Sequence, residues 1–264
     1  MIKSPAEIQL MRQSCQIASS SIQNTINQSH SLNSELQMAS TVEHNCKMQG
    51  ASHMAYPSVV ASGDNCNIIH YSQLSNEEFS KYSRKHDLLL MDAGCEIGGY
   101  TSDVTRTWPL AGCFNNLPHR LVYEAVLDVQ KTLIKSLQQN DFADCENRIW
   151  TVDSLYYEMK NLFLPHFIEL GLIDEKDKKE LANAYVIWAQ FYLGGTQIFF
   201  AGPYQCFKML KILLTYFRAI SEACPHHVSH YLGMDVHDTP SISKSTPLLP
   251  GMVITIEPAL YFPR

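Results

Sequence analysis

Apolar residues recur at helical spacing from the start of the chain. Ser4 and Glu7 form a capping box around Pro5, which favours the first helical position, and apolar side chains continue the pattern to Ile26. The same spacing predicts further helices over about residues 35–50, 117–137 and 152–170. Leu155, Met159, Leu162 and Leu164 are predicted to face a core.

Strand patterns lie between these helices. Strands are predicted over about residues 56–61 and 67–71, and the polar run 72–86 connects them to the apolar segment LLLMDAG. Helix pairs that flank antiparallel strands are typical of an α+β fold. No linker-like stretch divides the chain, so residues 1–264 are predicted to form one domain.

Two aspartates lie on strands that are predicted to pair as a hairpin. Asp92 follows the apolar run LLLM, Asp103 lies in YTSDVTRTW, and glycines separate the two segments. A turn centred on Ile97-Gly98 places the two aspartates opposite each other, about 5 Å apart. Each alone could be a solvated residue at a strand end, but a pair of opposed like charges is destabilising unless a cation compensates it.

An imidazole and a third carboxylate follow later in the chain. His226 and His230 are four residues apart, so they share one face in either a helix or a strand. His230 is a candidate metal ligand, whereas His226 and His237 are candidates for holding a substrate carbonyl and moving a proton. Glu257 lies in GMVITIEP, where alternation predicts a strand with one face in the core.

Together these groups predict a divalent-metal hydrolase site. Carboxylates favour Mn, Mg or Ca, and one imidazole shifts the choice towards Mn, Co, Fe or Zn. A bridging carboxylate suits two ions, which polarise a carbonyl and activate water. We expect two ions, with Mn or Co preferred.

The order of MDAG, SDVTRTW, PHHVSHYLGMDVHDTP and LLPGMVITIEPALYF resembles the catalytic domain of the Xaa-Pro aminopeptidases, metallopeptidases of the pita-bread (creatinase/aminopeptidase) fold. KSPAEIQLMR and AYPSVVASGDNCNIIHY extend the similarity. The resemblance implies an antiparallel sheet flanked by helices and peptide substrates with an N-terminal Xaa-Pro. It also implies a mitochondrial or cytoplasmic location and is compatible with a homodimer. The implied metal ligands are Asp92, Asp103, His230 and Glu257, and the implied substrate-site residues are His70, His226 and His237.

The chain departs from the family pattern in two ways. The family's fifth ligand is a glutamate in an Arg-x-Glu motif on a later strand, which these 264 residues do not include. The stretch over about residues 184–218 has no counterpart in the family and is treated as an atypical insertion. Two functions therefore remain open: a dinuclear aminopeptidase, or a metal-poor or inactive relative that binds peptides or partners without hydrolysis.

Composition changes this picture little. A formal net charge of −6 gives no electrostatic case for nucleic acid or an anionic membrane surface. The 8 cysteines form no CxxC pair, so they are expected to be free thiols in a reducing compartment. The first residues carry no signal or transit pattern. The uncharged stretch 181–207 is broken by Gly-Gly and Gly-Pro, so no membrane span is expected.

Overall fold

The computed structural model describes residues 1–75, 78–138, 149–173 and 216–262. The helices are α1 (Pro5–Gln28), α2 (Glu35–Met48), α3 (Lys81–His86), α4 (Leu117–Gln138) and α5 (Val152–Glu169). The strands are β1 (His53–Met54), β2 (Val59–Ser62), β3 (Leu88–Ala93), β4 (Cys95–Ile97), β5 (Tyr100–Thr101) and β6 (Val104–Pro109). A 3-10 helix covers Gly63–Asn67, and residues 216–223 are helical.

The first helix begins as predicted. Ser4 accepts a hydrogen bond from the Glu7 N–H, and the Glu7 carboxylate accepts one from the Ser4 N–H, with Pro5 at the first helical position. The buried face of α1 packs with α2 against the strands in one hydrophobic cluster, which includes Ile22 and Met38. A second cluster joins α4, α5 and the helical residues 216–223. Helices thus cover strands, which confirms the predicted α+β class.

The strands form two antiparallel sheets, β2-β3-β6 and β1-β4-β5. Only Gly94 separates β3 from β4, so one continuous stretch of chain serves both sheets. A Cβ atom at Gly94 would lie 1.8 Å from the carbonyl oxygen of Ser102. Only glycine allows this close approach of two backbones, which holds the two aspartate-bearing segments together.

The predicted hairpin register is wrong by two residues. Ile97 pairs with Tyr100, so the turn is Gly98-Gly99, and Asp92 pairs with Thr105 rather than with Asp103. Both glycines have positive φ, 58° and 84°, as a tight two-residue hairpin turn requires. Because side chains alternate with a period of two, a shift of two residues leaves both aspartates on the predicted face.

Of the other predicted helices and strands, some are confirmed and some are wrong. The helices near residues 117 and 152 are confirmed as α4 and α5, and the four leucine and methionine positions on α5 are buried or partly buried in its core cluster. The strand over 67–71 is wrong, because a 3-10 helix and an irregular segment occupy that region. The connection 72–86 contains α3.

No helix of the described residues is long and apolar enough to cross a membrane. Of the stretch 184–218 that was interpreted as an insertion, only the last three residues lie within the described part of the chain. The uncharged stretch 181–207 lies outside it altogether.

Candidate metal centre and substrate cleft

Asp92 and Asp103 meet at the hydroxyl group of Tyr56. Asp92 lies on β3, and Asp103 lies in the short break between β5 and β6. The Tyr56 O–H lies 2.5 Å from Oδ1 of Asp92 and 3.1 Å from Oδ1 of Asp103. Burial, together with the neighbouring Asp103 charge, raises the pKa of Asp92 to about 7. Two crowded carboxylates of this kind form a site that a cation would stabilise.

His230 and Glu257 lie on two extended segments that run side by side. The N–H of Thr255 donates to the His230 carbonyl at 3.0 Å, and the N–H of Glu257 donates to the Val228 carbonyl at 2.9 Å. The two segments form an isolated antiparallel β-bridge, between Tyr231 and Ile254. The side chain of Thr255 accepts from the His230 N–H and donates to Glu257 Oε1, both at 3.0 Å. Thr255 therefore sets the relative positions of the His230 and Glu257 side chains.

Asp103, His230 and Glu257 converge on one point. Nε2 of His230 lies 3.3 Å from Oδ2 of Asp103 and 3.1 Å from Oε1 of Glu257. Ligand atoms of these three residues all lie within 4.8 Å of one another. Asp92 is not among these three, but it is joined to Asp103 through Tyr56.

The tautomer of His230 suits metal binding. Its Nδ1 lies 3.1 Å from the carbonyl oxygen of Tyr231, and a carbonyl can only accept a hydrogen bond. In the neutral ring Nδ1 therefore carries the proton, and the lone pair of Nε2 points at the carboxylates. Burial by itself would lower the pKa of His230, but hydrogen bonds to Asp103 and Glu257 outweigh it and raise the pKa to about 10. The carboxylates thus attract positive charge, and the donor set fits a divalent ion.

The remaining predicted histidines lie around this centre. The ring of His237 is 4.5 Å from the ring of His230 and nearly perpendicular to it. The His226 ring lies edge-on to Tyr261 at 5.6 Å, and its Nδ1 is 2.9 Å from the His227 carbonyl oxygen. His70 has a φ of 54°, which is rare for a residue with a side chain.

One cleft of about 1530 Å³ contains the whole constellation. Its lining includes every residue predicted for the site: Asp92, Asp103, His230, Glu257, His70, His226 and His237. Groups from distant parts of the chain therefore share one open space that is large enough for a peptide.

Sequence reasoning missed two residues that organise the site. Tyr56 lay in a predicted strand, where an aromatic side chain ordinarily indicates core packing, and nothing in its neighbourhood pointed to the aspartates. Thr255 lies two places before Glu257, and the alternation predicts both on one face of the strand, but it does not predict the hydrogen bonds of Thr255 to His230 and Glu257.

Comparison with known proteins identifies the family. Residues 9–264 match the family model described as metallopeptidase family M24. The chain belongs to this family. It is 35% identical over 264 residues to Xaa-Pro aminopeptidase 3 of Rattus norvegicus, covering 100% of this chain and 42% of that protein. It is 32% identical over 263 residues to the mitochondrial intermediate cleaving peptidase 55 of Arabidopsis thaliana, again covering 100% and 42%.

Solved structures of family M24 relatives share the fold. Icp55 from Saccharomyces cerevisiae superimposes with a TM-score of 0.70 at 28% identity, over 99% of this chain and 53% of that one. Aminopeptidase P from Escherichia coli gives a TM-score of 0.72 at 27% identity, over 98% and 48%. These M24 neighbours confirm the predicted pita-bread fold. This chain spans half or less of the length of the curated relatives it matches.

Proposed function

We propose that the chain is a metalloaminopeptidase that releases the N-terminal residue from peptides with proline in the second position. The single observation that supports it most is the convergence of Asp103, His230 and Glu257 in one cleft, which Asp92 and three further histidines also line. The relatives named Xaa-Pro aminopeptidase support the specificity for proline. Membership of the M24 metallopeptidases supports hydrolysis that depends on a divalent metal.

The ligands we propose are Asp92, Asp103, His230 and Glu257, and they suit two divalent ions, with Mn preferred because carboxylates dominate the set. When bound, such ions would polarise the scissile carbonyl and activate water for attack. Asp103 lies close to His230 and also shares a hydrogen-bond donor with Asp92, so it would hold an ion together with either residue. The protein contributes by holding these groups in fixed relative positions.

The histidines beyond the ligand set would handle the substrate. Burial and the adjacent His230 lower the pKa of His237, so its ring is neutral near pH 7 and can donate a hydrogen bond to a substrate carbonyl. His226 donates through Nδ1 to a backbone carbonyl, which leaves Nε2 as an acceptor that can receive and return a proton. His70 lines the same cleft, and we assign it to substrate binding.

The test is to purify the chain, remove metal with a chelator and reload it with Mn. Bound metal and release of the N-terminal residue are then measured on one Xaa-Pro tripeptide. Two matched peptides serve as controls, one with alanine in place of proline and one with an acetylated N-terminus. We expect Mn-dependent release of the N-terminal residue from the unmodified Xaa-Pro tripeptide and from neither control. Binding of that peptide to the loaded chain without release would support the peptide-binding alternative instead.

We extend the proposal to domain organisation and location. The match to the M24 family over residues 9–264 supports a single catalytic domain across residues 1–264. The Arabidopsis thaliana relative is named as mitochondrial, which supports a mitochondrial location for this protein. Fluorescence imaging of the tagged protein in its own cells would test this, and a purely cytosolic signal would contradict it.

A further inference from the structure

A buried ion pair joins the start of the chain to the segment that carries His237. Nζ of Lys3 lies 2.8 Å from Oδ2 of Asp238, and only 5% and 15% of the two side chains are exposed. Asp238 directly follows His237 in the sequence. Charged groups are rarely buried unless they are paired, because removing each one from water is costly.

The pair packs directly on the backbone of Gly233. A Cβ atom there would lie 2.5 Å from Oδ2 of Asp238 and 2.9 Å from Nζ of Lys3, so only glycine leaves room for the two charges to meet. The carbonyl of Gly233 accepts hydrogen bonds from the N–H and the hydroxyl of Thr101, at 2.9 and 3.0 Å. Thr101 precedes Asp103 by two residues. The loop from Gly233 to Asp238 is therefore fixed at one end to the aspartate hairpin.

The other end of this loop is fixed through Asp238. The N–H of Asp238 donates to the carbonyl of Tyr231 at 3.0 Å, while its carboxylate binds Lys3. Lys3 is itself anchored, since its N–H donates to the carbonyl of Gly251 at 2.8 Å. Ile2, one residue earlier, forms a bridge with Met252 at the start of the segment that leads to Glu257.

We propose that Lys3 is a positioning residue for the active site. Through Asp238 it holds the loop that carries His237, and so keeps the His237 ring against His230 at the edge of the metal centre. This role rests on the proposed aminopeptidase function, because loss of the contact between His237 and His230 is expected to lower turnover. Lys3 is not among the described residues that line the cleft, so it would act only through the carboxylate of Asp238.

The kinetic test compares Lys3→Met, Asp238→Asn and the double variant, all loaded with Mn. The double variant is included because it leaves no uncompensated buried charge even if a single variant fails to fold. We expect kcat to fall on the order of ten- to a hundredfold in each, since small displacements of an active-site group cost about that much. Metal content and KM should stay close to the wild-type values. Lys3→Arg should recover most of the lost kcat.

A combination with His237→Ala separates positioning from general stability. If Lys3 acts through His237, adding Lys3→Met to His237→Ala lowers kcat no further. An equal loss in both backgrounds, or a parallel loss of metal, would overturn the inference. Lys47→Met is the matched control, because it breaks an exposed lysine–glutamate pair on α2, with Glu43, and should leave kcat unchanged.

A spectroscopic measurement makes the inference independent of turnover. In zinc-loaded protein labelled on histidine nitrogen, the ring signals of His237 are assigned by their loss in His237→Ala. We expect Lys3→Met to shift or broaden those signals and to leave the signals of His44, on α2, in place. If the wild-type chain fails to hydrolyse any Xaa-Pro peptide, the proposed function is refuted. The spectrum alone then tests whether Lys3 positions His237. Unmoved His237 signals would refute the positioning role.

Discussion

The phenolic oxygen of Tyr56 lies 2.5 Å from Oδ1 of Asp92, and the same hydroxyl reaches Asp103. Burial and the two aspartate charges raise the pKa of Tyr56 well above its ordinary value, so the hydroxyl keeps its proton and donates. In the metal-free protein this donor partly offsets the repulsion between the two carboxylates. A bound cation would perform the same task more strongly.

Tyr56→Phe should therefore destabilise the metal-free protein more than the metal-loaded protein. Loss of a hydrogen bond to a charged group lowers the free energy of unfolding by about 1.5–3 kcal/mol, and bound metal should recover part of that loss. Thermal unfolding with and without Mn measures the difference. Mn should raise the melting temperature by more in the variant than in the wild type.

Tyr231→Phe provides the matched control for Tyr56→Phe. The Tyr231 hydroxyl is buried and has no hydrogen-bond partner among the described residues. Removing it should cost little stability and should leave the effect of Mn unchanged. An identical response to Mn in Tyr56→Phe and the wild type would show that the hydroxyl does not compensate the carboxylates.

Asp103→Asn should sharply lower bound metal and leave the fold intact. The substitution removes a proposed ligand and one of two crowded negative charges, so affinity should fall by more than the roughly 10–100-fold typical of outer-shell partners. Metal analysis after dialysis, with circular dichroism alongside, measures both quantities. Asp235→Asn, on the exposed part of the loop before His237, is the control and should bind metal normally. Unchanged stoichiometry in Asp103→Asn would remove Asp103 from the ligand set.

His237→Ala should reduce turnover far more than metal content. A group that assists by hydrogen bonding or proton transfer contributes roughly 10²–10⁴ in rate. The checks are kcat on an Xaa-Pro peptide and bound Mn in the same preparation. His44→Ala removes an exposed histidine of α2 and should change neither quantity. A matching loss of metal and activity in His237→Ala would make His237 a ligand rather than a substrate group.

Metal affinity should rise steeply with pH. Without metal, the pKa of His230 is raised to about 10 and that of Asp92 to about 7, so both must lose protons before they can bind an ion. Between pH 6 and about 9 each step towards alkaline pH removes proton competition. Titration calorimetry in buffers of different ionisation enthalpy should detect proton release near pH 7. Binding that is independent of pH over this range would contradict the protonation of the empty site.

The stability of the metal-free protein should change in the opposite direction. A histidine whose pKa is raised by folding stabilises the fold fully below about 6.5 and loses that contribution as pH rises towards about 10. A carboxyl group whose pKa is raised from 3.8 to about 7 destabilises the fold as it ionises across that interval. Both shifts therefore predict that the free energy of unfolding of the metal-free protein falls as pH rises. Denaturant unfolding with a chelator at pH 6 and pH 9 measures the trend.

Local signals made some parts of the fold predictable. The capping box at Ser4 and Glu7 depends on residues three apart, so the start of α1 could be read directly from the sequence. The hairpin register could not be read in this way, because a turn at Ile97-Gly98 and a turn at Gly98-Gly99 are both compatible with the glycine-rich sequence. The period of two still kept Asp92 and Asp103 on one face.

Long-range relations were out of reach. The contact of Tyr56 with the aspartates depends on how β1, β2 and β3 follow one another in space, which residue types do not encode. The pairing of Lys3 with Asp238 joins opposite ends of the chain, so no window of sequence contains both partners. The proposed ligands were predictable as residue types in strand patterns, and the alternation also placed Thr255 on the face of Glu257. The contacts of Tyr56 and of the Lys3–Asp238 pair were not predictable in this way.

The convergence of Asp103, His230 and Glu257 makes a bound ion a cross-link as well as a reagent. Three segments that are distant in the sequence would be tied at one point, and closing such long loops reduces the entropy of partly opened states. Binding to the folded chain alone would also increase stability with metal concentration. Removing metal should therefore separate the segment of Asp103 from those of His230 and Glu257 before it alters either hydrophobic cluster. Limited proteolysis should then cut first at the segments around the cleft.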